Sequence, residues 1–349
     1  MFSSYKPHDV EILLKDITGM VQPLGTRERE LRIQSGVHYS EMLPIEYMPS
    51  AQYLKTFYEA LDRYSGITAQ AVASVALKIW QNKVGKPVLV SLARAGTPIG
   101  ILIKRYLEKR FECEIPHYTV SIIRGKGIDN NAMRYILSRH SAEAIQFIDG
   151  WTGKGAIQRE LNNAMEAYPE VSAGLAVLSD PSGAAEICGT HDDFLIASSC
   201  LNSTVSGLLS RTFEKPGIIG ENDFHGALFY RELKDSDLTY TFIDTIESKF
   251  TYREQAMNEG ILPRSGLAEA EEICAHYNIG DINFVKPGIG ETTRVLLRRV
   301  PWKVLVRSKT DYEHLGHLYQ LAKEKDIGIE VYPLVNYRAC GLIKDLSDN

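Results

Sequence analysis

Between residues 86 and 180 one pattern recurs: a short apolar run, a turn of small residues, then a helical segment. KPVLVSL (86–92) leads into ARAGTPIG and the helical GILIKRYLEKRF, and HYTVSII (117–123) leads into RGKGIDNNAM and RYILSRH. AIQFID (144–149) leads into GWTGKG and the amphipathic IQRELNNAMEAY, while GLAVLSD (174–180) ends in PSG. Short apolar strands separated by helices return the chain to the same end of a sheet, which requires parallel pairing. The expected fold class is α/β, an open and mostly parallel sheet with flanking helices. Ligands of such sheets sit at the carboxyl ends of the strands. Every turn just quoted follows a strand end, so the turns are expected to converge on one crevice. DDFLIAS (192–198) is a candidate fifth strand. Upstream, HDVEILLKDI (8–17) reads as a short helix, and TRERELRIQSGVHYSEM reads as partly helical. YLKTFYEALDRY and AQAVASVALKIWQ both carry an amphipathic helical period.

The 349 residues suit about two domains at ~150 residues each. NEGILPRSG supplies the break: residues 1–258 form the first domain, 259–274 a linker and 275–349 a second domain. Residues 1–50 are expected to be partly a hood, or N-terminal extension. In the second domain GETTRVLLRRV, KVLVRS, EHLGHLYQLAKEKD and IEVYPL alternate helix and strand, a small α/β unit. The net charge of −5 argues against a nucleic-acid-binding surface over the whole chain, but not against a local basic patch. The five cysteines are scattered with no CxxC or CxH pair, which removes zinc-ligand spacing and suits a reducing compartment. The start MFSSYKPHDVEILL lacks the basic and apolar regions of a secretory leader. No apolar run approaches the ~18 residues of a membrane span. A cytoplasmic protein without a membrane partner is expected.

The turn after AIQFID carries the most chemistry. Asp149 closes the strand, and Thr152 and Lys154 stand among Gly150, Gly153 and Gly155. Glycines after a strand let backbone N–H groups approach phosphate oxygens, and the following helix N-terminus adds partial positive charge. A carboxylate beside them suits ribose hydroxyls, or a metal that bridges to phosphate. A Walker A loop fits poorly: Ile148 stands where its first glycine belongs, and Gly155 where its Ser or Thr belongs. Ala93, Arg94, Ala95 and Gly96 form a second small-residue turn, suited to pyrophosphate, with Arg94 its strongest side chain. Arg124 and Lys126 make a third, basic and punctuated by glycines.

Three such turns on successive strands, with Asp149, resemble the type I phosphoribosyltransferase fold. The segments HYSEM, SLARAGTPIG, HYTVSIIRGKGID, IDGWTGKGAI, DPSG and SGLLSRT are closer still to the bacterial StiP-type family, described as phosphoribosyltransferases and also as cysteine proteases, of tellurium-resistance and stress operons. That similarity runs from about residue 4 to 250. The tail from about residue 275, above all GIGETTRVLLRRVPWKVLVRS, resembles the Pelota-type RNA-binding domain. The resemblance implies transfer of a phosphoribosyl group from phosphoribosyl pyrophosphate (PRPP) to an acceptor, with pyrophosphate released and Mg²⁺ assisting. It implies Asp149 on the ribose hydroxyls or the metal, and Gly150 and Thr152 to Gly155 on the 5-phosphate. Ala93 to Gly96 would then hold pyrophosphate, with Arg124 and Lys126 acting on the leaving group. Asp180, ending the next strand, is a further candidate for acceptor recognition or metal. Lys286, Arg294, Arg298, Arg299 and Lys303 form the basic patch expected to meet RNA, with Arg294 and Arg298 on one helical face.

Such transferases usually place two adjacent acids before the turn; here Gly150 follows Asp149. A binding protein that senses a sugar phosphate or nucleotide without turnover, and docks RNA through its tail, is therefore the rival reading. A protease reading needs Cys200 as nucleophile with His191 as base and Asp192 or Asp193 nearby. Free cysteines are among the most buried residues, and a structural Cys200 is the plainer expectation.

Overall fold

The computed structural model describes residues 2–253 and 256–344, apart from the side chains of Thr26, Glu30 and Gln34. Residues 345–349 of the expected second domain thus lie outside the described residues. The first unit holds strands β1 (Glu11–Ile12), β2 (Lys15–Asp16), β3 (Val88–Leu92), β4 (His117–Val120), β5 (Ile122–Ile123), β6 (Gly127–Ile128), β7 (Ile145–Ile148), β8 (Leu175–Ser179), β9 (Ile187–Thr190) and β10 (Gly226–Ala227). Its helices are α1 (Thr26–Gln34), α2 (Ala51–Asn82), α3 (Gly96–Phe111), α4 (Asn130–Leu137), α5 (Ala156–Met165) and α6 (Thr239–Glu247). Six strands form one sheet in the order β1-β4-β3-β7-β8-β9, and every pair in it is parallel. This is the expected open parallel sheet.

Side chains alternate across it as a strand requires. Val88, Val90 and Leu92 of β3 pack with Phe147 of β7 and with Met133 and Leu161 of α4 and α5. Leu89 turns to the other face, into the layer of α2, α3 and α6. Ser91 shares that face and bonds the His117 Nε2 at 2.7 Å. Helix α3 packs so closely there that a Cβ at Gly100 would lie 2.1 Å from the Ser91 Oγ.

Two local expectations are corrected. HDVEILLKDI is not a helix: β1 pairs with β4 through Glu11–Tyr118 and Ile12–Thr119, and β2 pairs with β10. Edge pairing across distant sequence overrides the helical period. DDFLIAS is not a strand either, and the sixth position in the sheet is filled by β9.

The second unit holds α7 (Gly266–His276), β11 (Val285–Pro287), α8 (Ile289–Arg298), β12 (Pro301–Val306), α9 (Tyr312–Glu324), β13 (Ile329–Val331) and β14 (Ala339–Ile343). Its four-stranded sheet runs β11-β14-β12-β13. Ala270 and Ile273 of α7 pack with Val285, Leu305 and Leu342, so this unit extends back to Gly266, inside the segment expected as linker. Ile289, Leu296 and Leu297 of α8, and Leu315, Leu318 and Leu321 of α9, join the same apolar cluster as α2 and α3. The two units thus share one continuous core. No helix among the described residues is long and apolar enough to cross a membrane.

Candidate functional site: a basic cleft between the two units

The carboxyl ends of β3 and β7 open into a cleft of about 840 Å³. The first unit contributes Ala93, Arg94, Ala95, Arg124 and Asp149, together with Arg29, Glu46 and Arg211. The opposite wall comes from β11 and α8: Lys286, Glu291, Arg294, Arg298, with Arg299 just beyond. Eight cations (Arg29, Arg94, Arg124, Arg211, Lys286, Arg294, Arg298, Arg299) therefore face three acids (Glu46, Asp149, Glu291).

Gly96 sets the geometry at the floor. A Cβ there would lie 2.4 Å from the Ile148 carbonyl oxygen and 3.1 Å from the Asp149 Cα. Only glycine lets the N-terminus of α3, with its partial positive charge, meet the end of β7. The Ala93–Arg94 peptide at this point is cis. Arg94 donates to Glu46 Oε1 and to the Leu209 carbonyl, both at 2.8 Å. Burial pushes Glu46 up, but the charge and hydrogen bond of Arg94 prevail and hold it below the usual carboxylate range.

Asp149 accepts from the Gly150 N–H at 2.8 Å. Burial drives its carboxyl up to about 7, the Gly150 N–H and Arg294 oppose the rise, and Glu291 adds to it. The cations show the same crowding. Burial brings Arg298 down to about 9, with the charges of Arg294 and Arg94 pushing the same way. Burial brings Arg211 down to about 10, helped by Arg29 and Arg94. Arg298 is pinned by the Cys200 carbonyl at 2.7 Å and by the Asn202 side chain. Among the described residues Arg94 makes a salt bridge, with Glu46, whereas Arg124, Lys286, Arg294 and Arg299 make none. The cleft therefore carries a surplus of positive charge, which favours anions by simple electrostatics.

The other expected residues lie elsewhere. Gly96 is buried beneath the floor, and Gly150 is buried too. The turn Thr152–Gly155 faces the second unit rather than the cleft. The Lys154 Nζ donates to the carbonyls of Ile282 at 2.5 Å and Val285 at 2.9 Å. The Tyr337 hydroxyl donates to the Gly153 carbonyl at 2.5 Å. Thr152 is buried, with its hydroxyl accepting from the Gly155 N–H at 3.0 Å. Lys126 pairs with Glu41 and Glu214, away from the cleft. Asp180 closes its own turn, accepting from Ser182, Ala184 and Ala185. Lys303 pairs with Glu330 at 2.6 Å on the far face of the second unit.

The cysteine arrangement read from the sequence does not assemble. Cys200 is fully buried, and burial pushes its thiol up to about 12. His191 instead lies against Cys188, 3.8 Å from Nδ1 to Sγ, and its Nε2 is 3.7 Å from Glu259. Asp192 and Asp193 hold the second unit: Asp193 accepts from the Ile289 and Arg338 N–H groups, and Asp192 pairs with Arg338. Glu46, Arg211 and Glu291 were not foreseen as site residues. Glu46 and Arg211 stand in segments without Gly-rich punctuation, whereas Glu291 directly follows Gly288 and Gly290 in KPGIGETT, a signal that could have marked it.

Fold and cleft define a two-unit α/β protein whose parallel-sheet edge and appended small domain enclose a basic cleft. The chain belongs to the StiP family: the family model described as tellurite-like stress resistance cysteine protease StiP matches residues 3–247. A curated relative, cysteine protease StiP of Acinetobacter baylyi, is 36% identical over 366 aligned positions, covering 98% of this chain and 94% of that protein. The PELOTA RNA binding domain model matches residues 264–345. Among solved structures, a hypoxanthine-guanine phosphoribosyltransferase of Bacillus anthracis aligns with 36% of this chain and 76% of its own, at 14% identity and a TM-score of 0.27. A xanthine-guanine-hypoxanthine phosphoribosyltransferase of Helicobacter pylori aligns with 40% and 82%, at 17% identity and a TM-score of 0.24.

Proposed function

We propose that the cleft binds PRPP or a closely related sugar phosphate, and that the protein transfers its phosphoribosyl group to an acceptor with release of pyrophosphate. The observation that carries this reading is the excess of eight cations over three acids around the carboxyl end of the strand that presents Asp149. In the reaction the bond from C1 of the ribose to the pyrophosphate oxygen breaks, and its electron pair leaves with pyrophosphate. The acceptor's lone pair forms the new bond to C1. Positive charge grows on the ribose while negative charge grows on the leaving group. Asp149 accepts from the ribose hydroxyls near the first charge, and Arg94 and Arg124 stand against the second. Arg94 is held for this by Glu46 and the Leu209 carbonyl.

The donor set fits Mg²⁺, a hard cation usually bound through one or two carboxylates plus substrate phosphates. Asp149 and Glu291 would hold it, and it would supply charge neutralisation at the pyrophosphate. RNA is the proposed macromolecular partner, on the strength of the second family model. Incubation of the full chain with PRPP, Mg²⁺ and a panel of nucleobases and RNA oligonucleotides tests the reading. Pyrophosphate release that Asp149→Asn abolishes is the expected outcome. Saturable PRPP binding with no release under any condition would leave the sensing role in its place.

One contact favours a second reading, peptide hydrolysis, which the relative's name brings with it. Cys188, His191 and Glu259 lie in the order thiol, imidazole, carboxylate. Against it, Cys188 is buried with its thiol pushed up to about 12, and the His191 Nδ1 bonds the Asp180 carbonyl at 2.8 Å. Casein hydrolysis lost in Cys188→Ser and kept in Cys200→Ser would establish this reading; no hydrolysis by the wild type would remove it.

A further inference from the structure

The turn that the resemblance assigns to a sugar 5-phosphate is closed in this chain. The Lys154 ammonium is committed to two carbonyls of the second unit, the Gly153 carbonyl accepts from Tyr337, and a Cβ at Gly153 would sit 3.4 Å from the Pro287 carbonyl oxygen. The element that closes it brings other cations into the cleft. β11 ends next to this turn and carries Lys286, and α8 starts there and carries Arg294 at its middle, with Arg299 just past its end.

We infer that Lys286, Arg294 and Arg299 of the second unit hold the phosphate monoester of the sugar ligand, in place of the Thr152–Gly155 turn. This rests on the sugar-phosphate reading above.

Four observations support the assignment. Lys286, Arg294 and Arg299 line the same cleft as Asp149, so the carboxylate and the cations face one cavity. Arg294 stands over the Trp151 ring at 5.9 Å, two residues beyond Asp149 in the chain, and its charge acts on the Asp149 carboxyl. None of the three cations makes a salt bridge among the described residues, unlike Arg94 and Lys303, which are both paired. Burial holds Lys286 below the usual lysine range; Glu291 resists, while Arg124, Arg299 and Arg294 press it lower still. A dianionic phosphate placed among them relieves that repulsion and accepts charge-assisted hydrogen bonds from all three. Arg298, by contrast, is spent on the Cys200 carbonyl and Asn202, and so acts as a brace for α8.

The arrangement also reassigns the basic patch. Lys286 and Arg294 line the cleft and are only partly exposed, while Arg299 is exposed at its edge. An RNA that used Lys286 and Arg294 would have to enter the cleft and displace the sugar phosphate.

Calorimetric titration of ribose 5-phosphate and of inorganic pyrophosphate into the full chain tests the inference. The double variant Lys286→Ala/Arg299→Ala is expected to bind ribose 5-phosphate more weakly by about a hundredfold, roughly tenfold for each charged hydrogen bond lost. Its affinity for pyrophosphate stays within about threefold. Lys286→Arg restores most of the ribose 5-phosphate affinity, which a merely folding-related defect would not allow. An unchanged ribose 5-phosphate affinity in the double variant overturns the inference. So does a wild type that binds no ribose 5-phosphate, or a variant that loses only the binding of an RNA oligonucleotide. A wild type that binds ribose 5-phosphate through these residues yet releases no pyrophosphate from PRPP would retain this site and remove the transferase reading.

Discussion

The Asp193 carboxylate of the first unit accepts the backbone N–H of Ile289, at the first position of α8, at 2.9 and 3.2 Å from its two oxygens. The helix N-terminus that would otherwise leave this donor unsatisfied is thus capped from across the domain boundary. The same carboxylate accepts from the Arg338 N–H at 2.9 Å. One buried acid therefore fixes the element that carries Arg294 and Arg298.

Asp193→Ala is expected to lower the stability of the full chain by about 1–3 kcal/mol, because two buried N–H groups lose their acceptor. Denaturant unfolding measures it. Burial raises the Asp193 carboxyl to about 6, above its value in an unfolded chain. Its contribution is therefore complete at low pH and is lost as the pH rises through about 6. Relative to Asp193→Asn, which cannot ionise, the wild type should lose melting temperature between about pH 4 and about pH 6. A difference that grows in the opposite direction would show that the backbone donors outweigh burial.

Tyr337→Phe removes the hydroxyl that serves the Gly153 carbonyl. The expected cost is about 1–2 kcal/mol. Because the fastening lies between the units, limited proteolysis near residues 256–265 should accelerate in this variant. Cleavage at the wild-type rate would show that the shared apolar core alone holds the units together.

Thiol reactivity follows burial. Cys188 and Cys200 are buried, and their thiols are pushed up to about 12, while Cys340 is buried as well. In the native protein at pH 8 an alkylating reagent is expected to reach the partly exposed Cys113 and Cys274 first, with Cys188, Cys200 and Cys340 protected until unfolding. Mass mapping of the alkylated sites checks this. Rapid labelling of Cys200 would revive it as a nucleophile.

Much of the scaffold was legible because strand and helix periods are local properties. The apolar runs at 88–92, 117–120, 145–148 and 175–179 all became strands of one sheet, and the small residues after β3 marked a floor of the cleft. Arg94, Arg124 and Asp149 meet there because parallel strands carry their turns to one edge. The helical face of Arg294 and Arg298 was legible too, but what that face meets was not. Asp193 and Ile289 lie 96 residues apart, and nothing near either one signals the other. The two-residue strands β1 and β2 gave no period long enough to read. The Gly-rich turn was recognised by composition, yet composition could not show that Lys154 turns to carbonyls of the second unit.

The central claim is that both units enclose one site for a phosphorylated sugar. Titration of PRPP with Mg²⁺ into the full chain, at two salt concentrations, tests it most directly. Saturable binding at one site per chain is expected, weakening as salt rises, and falling at least tenfold in both Asp149→Asn and Arg294→Ala, one from each unit. No binding by the wild type, or binding that neither substitution alters, would contradict it.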